Sequence, residues 1–353
     1  MFENKHIYYR FVVLLLLSVS ISAIAQELRS SMRVETNQLL QYYRSLKDLS
    51  QRMLTHNALY EGKCGFGMHA QVLARWKELT QAQRTEFSLL MQADVMQCDT
   101  VAGHFHIFYD TTGNNEPALL DNNNQRIPGT AKAYIDSVAR IFNHVWDVEV
   151  TQMGYTQPPS ANGQSYDVYV EDIGYYGLTT PIGLPINGTD IPPQYQSYIT
   201  VDNDYQENGY KSNGISGLKV TAAHEFHHAI QYGYGFWADD LFAYELTSTW
   251  FEDVVYTEVN DYYNWVPLYF SQFSQGLSFN YYENPDYGER CIWAHFLATR
   301  FNPSIMRDVW TRMRTQPFLE STDAALGNIG SNLQQHSLNS HIGIIIPLIA
   351  LIR

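Results

Sequence analysis

Residues 224–228 read His-Glu-Phe-His-His, so two histidines stand four positions apart with a glutamate directly after the first. Residues i and i+4 of an α-helix lie on one face, separated by about 6 Å along the axis. Both imidazoles can therefore bind one metal ion, and the spacing suits two corners of a tetrahedral zinc site. Glu225 lies one residue further round the helix, where it can accept a proton from a metal-bound water. The pattern predicts a helix that carries two metal ligands and a general base.

The residues around this pattern are apolar, as a buried metal-binding helix requires. Residues 220–223 precede it and residues 229–230 follow it, without a proline, and Glu225 is the only charged residue of the stretch. Burial on one side keeps water away and holds the ligands still. His227 points away from the face that the two ligand histidines share. We expect it around the site or at the surface, and not on the metal.

A second helix is expected to approach the first. Gly233 and Gly235 permit a sharp reversal of the chain. Asp239 or Asp240 can then cap the N-terminus of a helix over residues 241–255. Such a pair of helices can bring a third ligand to the metal.

Three acidic side chains of the second helix are candidates for that third ligand. Glu245 and Glu252 lie on one face about 10 Å apart along the axis, so only one of them can reach a metal bound to the first helix. Glu245 needs the shorter loop and is the preferred ligand, with Glu252 second and Asp253 third. The alternative for each is a solvated charge or one that orients a ligand.

Residues 220–232 and 244–253 resemble the two-helix zinc core of the gluzincins and, more narrowly, of a group of secreted bacterial zinc metalloproteases. Three further segments fit that group: 103–113, 166–170 and 197–202. The resemblance covers about residues 100–315. It implies a zincin-like α+β fold with a small mixed sheet, an active-site helix and a helical C-terminal part.

The same resemblance implies a set of site residues. His224, His228 and Glu245 would bind zinc, and Glu225 would be the catalytic base. Many gluzincins place an aspartate four residues after the ligand glutamate, where it orients a zinc-bound histidine, but Thr249 stands there in this chain. The group that orients the histidine must therefore differ.

The N-terminus has the features of a secretory signal. Lys5 and Arg10 form a charged region, residues 11–17 are apolar, and residues 23–25 read Ala-Ile-Ala, which is a typical cleavage site. The apolar run is shorter than the ~20 residues that a spanning helix needs. We therefore predict a signal peptide over residues 1–25, cleaved after Ala25, and a secreted or extracytoplasmic protein with no membrane span.

Composition limits the partners. The net charge of −14 disfavours nucleic acid and anionic membranes. A protein or peptide substrate is expected instead. Residues 197–201 are predicted to form an edge strand beside the active-site helix, where an extended peptide can add to the sheet.

The pattern divides the rest of the chain into three parts. Residues 26–100 are predicted to be helical, either as a removable propeptide or as a packing subdomain. Residues 101–320 would form the catalytic domain, and residues 321–353 are a C-terminal tail without a defined pattern. Within the domain we predict strands over 104–109 and 166–170, a helix over 130–148, a loop over 181–193 and helices over 289–299 and 303–313.

The cysteines permit two interpretations of the N-terminal region. In an exported protein, Cys64 and Cys98 can form a disulfide that staples this region, and Cys291 would then stay buried as a thiol. Alternatively, Cys64 within Lys63-Cys64-Gly65 caps the zinc of a latent proenzyme, because thiolate is a good zinc ligand.

Two further sites follow from single residues. His295 or Tyr287 can donate a hydrogen bond to the oxyanion of a tetrahedral intermediate, and the alternative for each is packing. Residues 202–204 read Asp-Asn-Asp and can offer oxygens to Ca²⁺, but no Gly or Glu follows at EF-hand spacing. An Asx-type turn is the favoured interpretation there.

These patterns together predict a secreted zinc-dependent endopeptidase that hydrolyses peptide bonds with Glu225 as general base. Two alternatives stay open. One is a zinc hydrolase of non-peptide amides or esters, which would use the same site residues. The other is a non-catalytic surface or binding protein that keeps the zincin-like fold.

Overall fold

The computed structural model describes residues 36–41, 43–44, 63–160, 163–173, 175–207, 210–271 and 287–334. The predicted signal peptide lies outside the described residues, and so do residues 335–353 of the predicted C-terminal tail. No helix in the described part is both long enough and apolar enough to cross a membrane.

The described residues form a mixed α+β fold around a five-stranded open sheet. Its strands are, in chain order, β1 (Cys98–Ala102), β2 (Phe105–Tyr109), β3 (Tyr166–Glu171), β4 (Gly177–Ile182) and β5 (Gln196–Asp202). The spatial order is β1-β2-β3-β5-β4. β2, β3 and β5 are parallel, and the outer strands β1 and β4 run antiparallel to their neighbours. The expected mixed sheet is therefore present.

The strand expected at the edge is an inner strand. β5 is hydrogen-bonded on both sides, to β3 and to β4, so the predicted edge position of residues 197–201 is wrong. The edge strand next to it is β4, whose last residues fall in the predicted loop over 181–193. Proline donates no backbone hydrogen bond, and Pro181 in β4 therefore fits an edge strand.

The helices follow the apolar periodicity of the chain. They are α1 (Phe66–Ala74), α2 (Gln81–Leu90), α3 (Ala131–Trp146), α4 (Gly214–Tyr234), α5 (Leu241–Val255), α6 (Val266–Ser271), α7 (Cys291–Arg300), α8 (Ser304–Arg312) and α9 (Phe318–Gly327). α3 buries one face, which includes Val138, Phe142 and Val145, and packs against α4 and β2. α7 and α8 correspond to the two helices predicted after residue 288.

α4 and α5 are the two helices predicted around the metal pattern. α4 packs against β4 and β5 on one side and against α5 on the other. It ends at Gly235, whose φ of 130° is unfavourable for other residues. Asp240 stands at the N-cap position of α5, but its carboxylate accepts a hydrogen bond from the Phe318 backbone at 2.7 Å and caps nothing in α5.

The described part of the N-terminal region contains the helices α1 and α2, in agreement with the predicted helical character of residues 26–100. Thr80 starts α2 with a capping box to Gln83. This region has a small apolar core of its own, which is formed by Leu40, Tyr43, Met68, Val72, Leu79, Phe87 and Met91. The predicted domain boundary after residue 100 falls inside β1, and the boundary after residue 320 falls inside α9.

Candidate metal centre

Four side chains meet where α4 crosses α5. His224 and His228 come from α4, Glu245 comes from α5, and Cys64 comes from the segment just before α1. One potential ligand atom of each lies within 4.8 Å of the others, and all four residues are buried. The structure thus brings together the three predicted ligands and adds the thiol.

The distances within this group match a tetrahedral site. Nε2 of His224 lies 3.1 Å from Nε2 of His228 and 3.3 Å from Oε2 of Glu245. Oε1 of Glu245 lies 3.6 Å from Nε2 of His228. Two ligand atoms on a tetrahedral ion with bonds of about 2.0–2.1 Å stand about 3.3–3.4 Å apart. The two imidazole nitrogens and the two oxygens of Glu245 are therefore already spaced as ligands of one ion.

The amide of Gln231 sets the tautomer of His228. Gln231 Nε2 donates to the Tyr244 carbonyl at 3.0 Å and to Thr247 Oγ1 at 2.9 Å, so its oxygen faces the imidazole. His228 Nδ1 lies 2.7 Å from that oxygen and must donate to it. Nε2 of His228 then carries no proton and turns its lone pair to the cluster.

Glu252 orients the imidazole of His224 through a hydrogen bond to Nδ1. Its Oε1 accepts a hydrogen bond from His224 Nδ1 at 2.8 Å. Its Oε2 accepts one from Lys63 Nζ at 2.5 Å, and Lys63 also donates to Asp261 at 2.6 Å. Glu252 was considered as a ligand, but it lies on the far side of His224 and orients it. Its hydrogen bond to Nδ1 is the contact expected of a group that orients a metal-binding histidine.

The cluster therefore attracts a cation. When both imidazoles are neutral, their Nδ1–H groups donate outward, and two Nε2 lone pairs and the Glu245 carboxylate converge. Burial lowers the pKa of His224, but Glu245 and Glu252 raise it more, to about 10. Either a proton on His224 or a divalent cation between the ligands can compensate the negative charge of these carboxylates. His₂-carboxylate donors of this kind suit zinc.

Glu225 lies beside the cluster and against β4. Thr179 Oγ1 lies 2.7 Å from Glu225 Oε2, and the Glu225 side chain is 1% exposed. Burial raises the pKa of Glu225, while His224, Thr179 and Cys64 oppose the increase. A Cβ on Gly177 would lie 2.8 Å from Glu225 Cγ, so only glycine lets the strand approach so closely. The contacts from Thr179 and Gly177 had no local sequence signal.

The predicted disulfide between Cys64 and Cys98 is not formed, and both side chains are free thiols. Cys64 makes a β-bridge to Gly177 at the β4 edge, whereas Cys98 begins β1 at the opposite edge. Four strand spacings separate those edges by roughly 19 Å. A disulfide requires Cα atoms within about 7 Å. Burial, with Glu225 and Glu245, raises the pKa of Cys64, so without a cation it is a neutral thiol.

His227 is buried and lies away from the cluster, as expected for a residue that is not a ligand. Its Nδ1 lies 2.9 Å from Oε2 of Glu149, and its ring stacks on Phe251 at 4.1 Å. Burial raises the pKa of Glu149 and lowers that of His227, so the pair carries no net charge. The pair ties α4 to the helical turn after α3.

The two residues proposed for the oxyanion lie in the C-terminal helices. His295 stacks on Tyr262 at 5.1 Å and lies 3.8 Å from Asp253, the third candidate ligand. Burial lowers the pKa of His295 to about 4. Tyr287 begins the short 3-10 helix Tyr287–Arg290, and its side chain lies outside the described part.

Residues 202–204 form the predicted Asx-type turn. Asp202 Oδ2 accepts hydrogen bonds from the backbone of Asp204 at 2.9 Å and Tyr205 at 2.5 Å. Asp172 and Glu207 approach Asp202 closely enough to share an ion with it. Neither neighbour belongs to the predicted Asp-Asn-Asp group, so any calcium would take a different ligand set from the one expected.

Comparison of the chain with protein-family models, with curated proteins and with solved structures finds no match.

Proposed function

We propose that this chain is an exported zinc-dependent endopeptidase of the gluzincin type. One observation carries the proposal. His224, His228 and Glu245 turn three lone-pair donors to one point at tetrahedral spacing, and a buried carboxylate, Glu225, stands beside that point without being part of it. A metal site with an adjacent base is the arrangement that hydrolysis of an amide requires.

Each residue has a separate task in this proposal. His224, His228 and Glu245 would hold zinc, which when bound supplies Lewis acidity to a carbonyl and acidifies water. Glu225 accepts a proton from the attacking water on its carboxylate and then donates it to the leaving amine nitrogen. The raised pKa of Glu225 favours this exchange, since a buried carboxylate holds a proton more readily than an exposed one. Thr179 fixes the carboxylate by its hydroxyl.

The edge of the sheet supports a peptide as substrate. β4 is bonded along its length to β5 on one side, and on its other side the described residues show backbone contacts only between Gly177 and the pair Cys64 and Gly65. Its residues Gly177 and Thr179 contact Glu225. An extended peptide can add to such an edge through backbone hydrogen bonds and pass the base. A compact amide or ester would not need the strand, although the same site residues would serve it.

A metal-binding protein without activity is the second candidate, and Cys64 favours it. A structural zinc site closes with four protein ligands, and Cys64 is a fourth ligand of the right kind. Such a site has no use for Glu225. The two candidates therefore differ in what Glu225→Gln does.

The first test measures zinc by elemental analysis in the wild type, Glu225→Gln and His228→Ala. We expect about one zinc per chain in the first two and a large loss in the third, because His228 is a proposed ligand and Glu225 is not. Hydrolysis of a labelled unfolded casein is then followed in Cys64→Ser, with and without Glu225→Gln. Zinc-dependent cleavage that Glu225→Gln abolishes supports the peptidase. Cleavage that survives Glu225→Gln would refute Glu225 as the base. Zinc binding that survives His228→Ala would refute His228 as a ligand.

A further inference from the structure

We propose that Cys64 is a fourth metal ligand and that residues 63–66 form an internal inhibitory segment, which keeps the site latent until the N-terminal region is released. This inference rests on the proposed function, since it assigns a regulation to the same site. The segment contributes three anchors to the site, and two of them, the thiol and an aromatic ring, occupy places that a working enzyme needs open.

The first anchor is the thiol. Cys64 Sγ belongs to the same group as the ligand atoms of His224, His228 and Glu245. Burial raises the pKa of the thiol, and Glu225 is close enough for its charge to raise that pKa further. The point between the ligands and the base is where an attacking water has to stand. A sulfur atom there excludes the water and fills the fourth position of a tetrahedral ion.

The second anchor is a buried ion pair. Lys63 donates to Glu252 at 2.5 Å and to Asp261 at 2.6 Å, and its side chain is 9% exposed. Asp261 is held in turn by Ser212 Oγ at 2.6 Å. Lys63 is therefore paired with two carboxylates in a buried place, and loss of either carboxylate would leave a buried charge poorly compensated.

The third anchor is aromatic and lies on the other side of the thiol. Phe66 is fully buried, and its ring stacks on that of His228 at 4.1 Å with an interplanar angle of 5°. It also contacts the rings of Tyr232 and Tyr244. Phe66 thus fills an apolar pocket directly behind a metal ligand. Such a pocket can receive a side chain of a substrate only after Phe66 has left.

The backbone of the segment covers the edge of β4. Cys64 bridges Gly177 in parallel orientation, and the Gly65 backbone donates to the Gly177 carbonyl at 3.4 Å. A Cβ on Gly65 would meet the Leu178 side chain at 2.5 Å, so a glycine suits this close passage. The segment takes the place that an extended substrate would occupy beside Glu225.

The N-terminal region has the architecture of a removable unit. Most of its apolar residues form a small core of their own, whereas Cys64, Phe66 and Ala70 of the inhibitory segment and α1 pack into the main core. The connection between α2 and β1, residues 92–97, lies outside both helix and strand and includes Val95, which is 99% exposed. Exposed connections of this kind are preferred sites of proteolytic cleavage. A cut there removes the covalent link between the segment and β1, and when the segment then dissociates its thiolate takes a proton from solvent.

The coordination is tested with cobalt(II), which reports sulfur ligands without any activity assay. The purified chain is loaded with Co²⁺ in the wild type, in Cys64→Ser and in the double variant Cys98→Ser/Cys291→Ser. We expect a near-ultraviolet thiolate-to-cobalt charge-transfer band in the wild type and the double variant, and its loss in Cys64→Ser with cobalt still bound. The double variant keeps Cys64 alone, so the assignment stands even if Cys64→Ser folds poorly. Bound cobalt without the band, or a band that survives Cys64→Ser, overturns the ligand.

Latency is tested by release of the segment. Residues 92–97 are replaced by the recognition sequence of a site-specific protease, and casein hydrolysis is measured before and after the cut. We expect an increase of at least about tenfold, because a fourth protein ligand leaves no position for substrate. Uncleaved Cys64→Ser should show the increase already, whereas Cys98→Ser should not. If neither the cut nor Cys64→Ser increases turnover while zinc stays bound, the latency is refuted. A wild type that binds neither zinc nor cobalt would instead refute the proposed function.

Discussion

Replacement of Glu252 separates a positioning residue from a metal ligand. Glu252 is 1% exposed, and its two oxygens bind His224 Nδ1 at 2.8 Å and Lys63 Nζ at 2.5 Å. Glu252→Ala removes both bonds. His224 then loses the acceptor that holds its ring and its tautomer, while Nε2 can still reach the ion. We therefore expect weaker zinc binding and not its abolition.

The expected size follows from the place of Glu252 behind His224. Loss of a group that orients a ligand typically weakens metal binding by about 10–100-fold, or about 1.4–2.7 kcal/mol. Glu252→Gln should fall at the lower end, because its amide oxygen can still accept from His224 Nδ1. Its amide nitrogen cannot accept from Lys63, which keeps Asp261 alone as partner. Glu245→Ala removes a ligand itself and should cost more than Glu252→Ala.

Zinc affinity is measured by competition with a chromophoric chelator, and far-ultraviolet circular dichroism of each variant checks the fold. Glu258→Gln is the matched control, because Glu258 also pairs with a lysine, Lys219 at 2.7 Å, but is largely exposed. It should leave zinc affinity unchanged. A folded Glu252→Ala chain that binds zinc as tightly as wild type would refute the positioning role. A greater loss in Glu252→Ala than in Glu245→Ala would make Glu252 the third ligand.

Three further changes test the packing and the electrostatics. Phe66→Ala should lower the free energy of unfolding by about 3–5 kcal/mol in denaturant titrations, because the ring is fully buried; a loss under about 1 kcal/mol would contradict the packing. Gly177→Ala should reduce turnover of the released enzyme with zinc content unchanged, since its Cβ would lie 2.5 Å from Thr221 and 2.8 Å from Glu225. Burial, with help from the carboxylates of Asp204 and Asp172, raises the pKa of Glu207 to about 7 from 4.5, so its stabilising contribution is complete below pH 4.5 and is lost as the pH rises through about 7. Between pH 5 and pH 8 the free energy of unfolding of the wild type should fall by about 1–2 kcal/mol more than that of Glu207→Gln, after allowance for solvent screening. An equal fall in both proteins would contradict the shift.

Local patterns of the sequence predicted the parts of the site that lie within one or two helices. The i, i+4 spacing of His224 and His228 has a single geometric meaning in a helix, and the apolar flanks agree with the buried helix α4. The predicted helix over residues 241–255 has the bounds of α5. Glu245 approaches both histidines as preferred, because it lies near the reversal at Gly235.

The remaining features depend on contacts between distant parts of the chain. Glu245 and Glu252 lie on one face of α5, and only the packing of α5 on α4 determines which of them faces the Nε2 atoms. The place of Cys64 depends on the order of the strands, since β4 and not β5 is the edge that the N-terminal segment crosses. Periodicity along a strand reports burial, and it does not report which strand is outermost.

Glu252 also connects the inhibitory segment to the metal ligands. In the closed chain its charge is shared between His224 and Lys63, which is itself paired with Asp261. Departure of residues 63–66 would remove Lys63, and the whole charge of Glu252 would then act on His224. A carboxylate that interacts more strongly with Nδ1–H makes Nε2 a better electron donor. Release would therefore open the fourth position and strengthen a remaining ligand in one step, which compensates in part for the loss of the Cys64 thiolate.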